Sequence, residues 1–180
     1  MRVLTFQGFL SRYVRSLSTS GSGNLYKLSK ESDVNPRLRE PLFLYAVTSD
    51  KAELLLQATK HDQIKAEYVE MLTSFDRASL LQSLENGDPK LPDRYRKVFT
   101  SYVSVRDRIK AESNTKGLLL RKIRHLQTEK RVTNYRIYTD LELNHGNLNA
   151  YLKHGDCSKV SLDTARRVSA YLEELSLIRS

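Results

Sequence analysis

Apolar residues recur three to four positions apart along almost the whole chain, and no stretch alternates apolar and polar residues as a half-buried strand would. This pattern predicts an all-α protein. A first helix is expected from about residue 4 to residue 17, and the Ser- and Gly-rich loop 16–24 follows it. Shorter helices are expected from there to about residue 85, so the N-terminal part predicts several short helices that share one core.

A longer helical pattern begins at Pro92 and continues to about Arg131, with an expected interruption at Asn114-Thr115. The sequence Asn-Gly-Asp-Pro at residues 86–89 precedes it and is the clearest break in the chain. We therefore predict an N-terminal helical domain over residues 1–88 and a basic helical domain over residues 89–180.

Residues 133–153 predict two short helices joined by a tight turn. The turn, residues 142–144, has an apolar middle residue, Leu143, which can fill a gap in a core, and Gly155 suits the end of the second helix. Two helices joined in this way form a helix-turn-helix, which places its second helix in the major groove of DNA in many DNA-binding proteins.

Four helical segments and one turn follow one another from residue 118 to residue 175: LLLRKIRHLQTEK, TNYRIYTDL, the turn ELN, HGNLNAYLKHG and SLDTARRVSAYLEEL. In this order they resemble the Cro/C1-type (lambda-repressor-like, XRE) helix-turn-helix domain, over about a third of the chain. The resemblance implies a bundle of about five helices that binds double-stranded DNA.

Two residues depart from the pattern of that family. Tyr138 stands where the first helix of the motif usually has a small Ala, and Glu142 stands where the turn usually has Gly. We expect Tyr138 to push the two helices apart or to point elsewhere. We expect Glu142 to be strained if the turn needs a positive φ.

The resemblance also assigns contacts residue by residue. Asn can pair with the N6 and N7 edge of adenine, and a Gly lets the helix backbone approach DNA closely. The expected base contacts are Asn144, His145, Gly146, Asn147 and Asn149. Helix N-termini and basic side chains are suited to phosphates. The expected phosphate contacts are Asn134, Arg121, Lys122, Arg124, Lys153, His154 and Lys159.

Residues 26–35, YKLSKESDVN, echo residues 135–144, YRIYTDLELN, but Pro41 lies where a second helix would continue. Two interpretations remain open. Residues 25–40 form a degenerate helix-turn-helix in which Arg37 and Arg39 are a second basic contact with DNA, or they form a helical corner that uses the same capping residues.

Charge is distributed unevenly. Residues 91–180 hold 18 Lys and Arg against 10 Asp and Glu, whereas residues 1–90 hold 12 against 11. A basic half attracts polyanions, of which nucleic acid is the commonest inside cells.

One cysteine and the lack of a long apolar run predict a soluble, intracellular protein. The resemblance to the Cro/C1-type domain implies the bacterial cytoplasm and association with the nucleoid. Residues 1–30 contain no Asp or Glu. They therefore also suit a mitochondrial targeting segment, as the alternative to a packed first helix.

No metal-ligand spacing, P-loop, dinucleotide motif or nucleophile motif occurs in the sequence, which predicts no enzyme activity, metal or cofactor. The leading hypothesis is a sequence-specific double-stranded DNA-binding protein of bacterial or phage type, either a transcriptional regulator or an accessory of a mobile-element or defence operon. Its N-terminal helices would provide dimerisation or partner binding. The alternatives are a protein-interaction adaptor or antitoxin-like subunit whose basic half binds an acidic partner, and an RNA-binding helical protein.

Overall fold

The computed structural model describes residues 4–74, 76–86 and 93–175, and every regular element within them is helical. The prediction of an all-α fold is confirmed. Among these residues, no helix combines the length and the apolar character needed to cross a membrane. The chain forms two compact units, which divide between Val105 and Arg106. The predicted domain boundary at residue 88 lies outside the described residues.

The N-terminal unit is built from short helices. They are α1 (Phe6–Leu17), α2 (Leu25–Val34), a 3-10 turn (Pro36–Leu38), α3 (Arg39–Thr48), α4 (Ala52–Ala58), α5 (Asp62–Thr73), α6 (Arg77–Asn86) and the first turns of α7 (Asp93–Lys130). Side-chain caps fix the first two starts, because Thr5 accepts from the Gly8 N–H and Asn24 accepts from the N–H groups of residues 26 and 27.

Helix α3 is the centre of this unit. Six of its ten residues are buried, and the Phe43 ring lies 6.2 Å from the Tyr68 ring of α5 and 6.1 Å from the Tyr95 ring of α7, between centroids. Most of the surface of α3 is therefore used in the core of the unit. The structure therefore favours the helical-corner interpretation of residues 25–40.

The two arginines of that corner have different surroundings. Arg39 donates from Nε to the Ser32 carbonyl at 3.1 Å and pairs with Glu67 at 3.5 Å, so its guanidinium supports the fold. Arg37 is exposed. This arrangement does not favour a contact with DNA that Arg37 and Arg39 make together.

The C-terminal unit contains the rest of α7, α8 (Asn134–Asp140), α9 (His145–His154) and α10 (Leu162–Glu174). Its core is formed by apolar residues from all four helices and the connecting segments, namely Leu120, Ile123, Val132, Ile137, Leu148, Tyr151, Leu152, Val160, Ala165, Val168 and Leu172. The predicted bounds of the two short helices agree with the structure to within about a residue.

The interruption predicted at Asn114-Thr115 was wrong, because α7 is continuous for 38 residues. The Thr115 hydroxyl donates a hydrogen bond to the Ala111 carbonyl at 3.0 Å, and a helix tolerates such a bond. Neither residue removes a backbone donor as proline would, so low propensity alone does not end this helix.

Two glycines of this unit give a test of the backbone geometry. Gly155 ends α9 with φ 72°, and an added Cβ would meet only an ordinary contact with Leu120 at 3.7 Å, so the cost of Gly155→Ala comes from the left-handed backbone. We expect Gly155→Ala to lower the free energy of unfolding by about 1–2 kcal/mol. Gly117→Ala, inside α7 with nothing within 4 Å of the added Cβ, should raise it by about 0.5–1 kcal/mol. Urea denaturation measures both, and effects of the same sign would contradict this geometry.

Candidate nucleic-acid interface

Helices α8 and α9 meet at a turn whose hydrogen bonds are local. The Thr133 hydroxyl caps α8 by accepting from the Arg136 N–H, and Asn144 Oδ1 caps α9 by accepting from the Asn147 N–H at 3.0 Å. Between them the Leu143 N–H donates to the Tyr138 carbonyl at 2.9 Å, while its side chain packs against the core of the unit. The turn therefore has the apolar residue in the place that the sequence predicted.

Glu142 adopts φ 52°, the left-handed conformation in which a non-glycine residue is strained. The sequence predicted strain at Glu142 if the turn needed a positive φ, and φ is positive there. Its N–H group donates to the Thr139 carbonyl at 3.3 Å, so the conformation is fixed by the end of α8.

Tyr138 is partly buried and packs against the core of the unit, next to Ile137, which is fully buried. The Tyr138 ring lies 5.3 Å from Tyr135 and 5.9 Å from His145, between centroids. The three rings form a small aromatic group beside the start of α9.

The rotation of α9 is fixed by its buried side. Leu148, Tyr151 and Leu152 are buried, and the Tyr151 hydroxyl donates to the Lys116 carbonyl at 2.6 Å. Burial raises the pKa of Tyr151 to about 12, so the phenol stays protonated and can donate. The residues of α9 that remain exposed are His145, Gly146, Asn147, Lys153 and His154.

Gly146 is not required by the fold. A Cβ added there would meet Asn144 Oδ1 at 3.4 Å, which a shift of a few tenths of an ångström relieves. The absence of a side chain at this exposed position therefore leaves room for an external partner.

A chain of side-chain amides connects three helices. Gln127 of α7 donates from Nε2 to Asn134 Oδ1 at 2.7 Å, and Asn134 donates from Nδ2 to Asn149 Oδ1 at 2.9 Å. The amide of Asn134 is thus used inside the protein, while Asn149 keeps its own Nδ2 as a donor. Sequence analysis missed Gln127, and its signal was a polar residue four positions after the buried Ile123 of α7.

The three predicted phosphate contacts on α7 differ in the partners that their side chains have within the chain. Arg124 donates to the carbonyls of Leu152 and Lys153, at 2.8 and 3.1 Å, and so caps the end of α9. Lys122 pairs with Glu173 at 2.8 Å, and this hydrogen bond lowers the pKa of the carboxyl group. Arg121 is exposed.

The remaining predicted phosphate contacts lie in the last turn of α9 or after it. Lys153 and His154 occupy its last turn, and Lys159 is exposed in the segment that leads to α10. Arg167 of α10, which sequence analysis missed, donates to the Leu141 carbonyl at 3.5 Å, so its guanidinium lies beside the turn. Its signal was the Arg166-Arg167 pair on the polar side of an amphipathic helix.

No family model, curated protein or solved structure matches this chain. In the part of the chain that the structure describes, no three His, Cys, Asp or Glu side chains are grouped so that they could hold a metal ion.

The strain at Glu142 can be measured. Glu142→Gly should relieve about 1–2 kcal/mol of left-handed strain and lose about 0.4–1 kcal/mol to the freer unfolded chain, for a net gain of up to about 1.6 kcal/mol. Glu142→Gln keeps the strain and removes the charge, so we expect it to change stability by less than about 0.5 kcal/mol. Urea denaturation of both variants decides, and an equal gain in the Gln variant would assign the effect to charge.

Proposed function

We propose that the protein binds double-stranded DNA in a sequence-specific manner and that α9 contacts the major groove. The observation that carries the proposal is the composition of the exposed side of α9. It offers His145, Gly146 and Asn147 in the first turn and two basic side chains in the last, while the opposite side is anchored in the core.

The chemistry of that side suits base edges. The Asn147 side chain is exposed and its backbone N–H is already bonded, so the amide can both donate and accept outside the protein. Asn149 can add a donor from an orientation set by Asn134. A helix of ten residues is about 15 Å long, and one end of it can enter the groove while its C-terminal end stays near the backbone.

Phosphate contacts would come from exposed basic and imidazole side chains. Lys153, His154 and Lys159 follow the proposed base-contacting residues, and Arg121 adds a further exposed charge. Asn134 and Arg124, whose polar groups serve the fold, would act by holding α9 in place.

The resemblance of residues 118–175 to the Cro/C1-type domain supports this proposal, and it extends it to a bacterial or phage-type regulator or an accessory of a mobile-element or defence operon. Proteins of that type commonly bind two half-sites as dimers. The N-terminal unit would then supply self-association or the contact with a partner protein.

The first test is the salt dependence of binding. The full chain is titrated into a fluorescent duplex at several salt concentrations, and we expect the affinity to fall steeply because binding releases counterions. Lys153→Ala should weaken binding to all sequences and reduce the slope of log K against log salt by about 0.9. Lys60→Ala, an exposed lysine of the N-terminal unit, is the matched control. Binding that is absent at low salt, or flat in salt, would refute the proposal.

The second test concerns base contacts. Duplexes selected from a random pool should share a preferred sequence, and Asn147→Ala should relax one position of it by about 1–3 kcal/mol while non-specific binding remains. Asn114→Ala, an exposed asparagine on α7, is the control for loss of an amide. An unchanged preference in the Asn147 variant would remove this residue from the interface.

A protein-binding adaptor is the second candidate, and Tyr135 favours it. This side chain is 66% exposed and its ring contacts Tyr138, an arrangement frequent in protein interfaces. Purification with one stoichiometric protein and no nucleic acid, abolished by Tyr135→Ala, would support the adaptor. Competition between duplex DNA and RNA for the protein distinguishes DNA binding from the RNA-binding alternative.

A further inference from the structure

A groove of about 560 Å³ lies within the N-terminal unit, where α1, the 3-10 turn, α3 and the first turns of α7 approach one another. Its apolar lining consists of Tyr13, Leu17, Pro36, Pro41 and Val98. Nothing in the proposed DNA contact uses this groove.

The charges around the groove are not balanced. Arg37, Arg94 and Lys97 line it together with one carboxylate, Glu40. Arg94 is neutralised, since its Nη2 lies 3.4 Å from Glu40 Oε1 and 3.0 Å from Glu67 Oε1.

Arg37 and Lys97 are exposed, and within the described part of the chain neither forms an ion pair. Arg37 does serve the fold through its backbone N–H, which donates to Asn35 Oδ1 at 3.2 Å, but that bond does not involve the guanidinium. Two cationic groups therefore border an apolar groove without a fold-related partner.

The walls of the groove are stiff. Proline fixes φ at residues 36 and 41, and Tyr13 stacks on Phe9 with ring centroids 5.1 Å apart. Little conformational entropy remains to be lost when such walls receive a ligand.

We propose that this groove binds a small organic anion, with an apolar body against the Tyr13, Leu17 and Val98 side chains and an anionic head at Arg37 and Lys97. A carboxylate, phosphate or sulfonate head satisfies the same charge requirement. The volume lies in the range of small-ligand pockets, about 300–1,000 Å³, and this favours a compact ligand over an extended acidic peptide.

The test uses two probes with the same aromatic body and a different charge. They are 8-anilinonaphthalene-1-sulfonate, an anion, and N-phenyl-1-naphthylamine, its neutral analogue. Each is titrated into the folded full chain and followed by fluorescence. We expect one anion per chain, bound more tightly than the neutral analogue.

The variants separate charge from shape. The double variant Arg37→Gln with Lys97→Gln should weaken the anionic probe by roughly two- to thirty-fold, as two exposed charge pairs would, and leave the neutral probe unchanged. Lys60→Gln with Lys65→Gln removes two exposed lysines elsewhere in the same unit and should change neither probe. Leu17→Trp, which fills the groove, should weaken both probes, and thermal unfolding by circular dichroism confirms that each variant is folded.

Several results would overturn the inference. They are equal binding of the anionic probe to the wild type and to the Arg37/Lys97 variant, several probe molecules per chain, or no binding at millimolar probe. Binding of a Leu-containing acidic decapeptide in the absence of binding by the sulfonate would also overturn the ligand class. Loss of duplex affinity in the double variant with unchanged probe binding would assign these cations to DNA instead.

Discussion

The candidate interface depends on the burial of three side chains of α9. Leu148, Tyr151 and Leu152 pack into one core, and at about 100° per residue their burial turns Gly146, Ala150 and Lys153 away from it. The Tyr151 hydroxyl adds a restraint along the helix axis, because a buried hydroxyl must find an acceptor and here it finds the Lys116 carbonyl. Rotation and position are thus both fixed by groups on the side of α9 that faces inward.

The amide chain from Gln127 through Asn134 to Asn149 fixes a finer level of detail. Apolar packing orients a helix, but it leaves an exposed amide free to choose among rotamers. Each bond in this chain removes one such choice, and its origin in α7 makes the choice depend on the whole unit. A side chain held in this way loses less entropy when it meets a partner than a free one would.

The features that could be predicted from the sequence are those that local interactions determine. The ends of α8 and α9 could be predicted from the sequence because Thr133, Asn144 and Gly155 are capping residues. Their roles depend only on the residues beside them. The continuity of α7 at Asn114-Thr115 could not be predicted in this way, because the helix on both sides overrides the weak helix propensities of these two residues. Arg124 was predicted as a phosphate contact since charge suggested it, but its use as a cap for α9 depends on a carbonyl 28 residues away in the sequence.

Contacts between residues far apart in the sequence also change how many cations of the basic half can bind an external polyanion. Lys116 donates to the Val160 carbonyl and pairs with Glu112, and Lys130 donates to the Glu173 carbonyl, so these cations, like Arg124 and Lys122, have partners within the chain. A count of charges assigns all four to an external polyanion, whereas the structure leaves fewer cations for that purpose. Phosphate contacts position a protein on DNA and carry no base identity. Under the proposed function, base specificity would therefore rest on the exposed side chains of the first turn of α9.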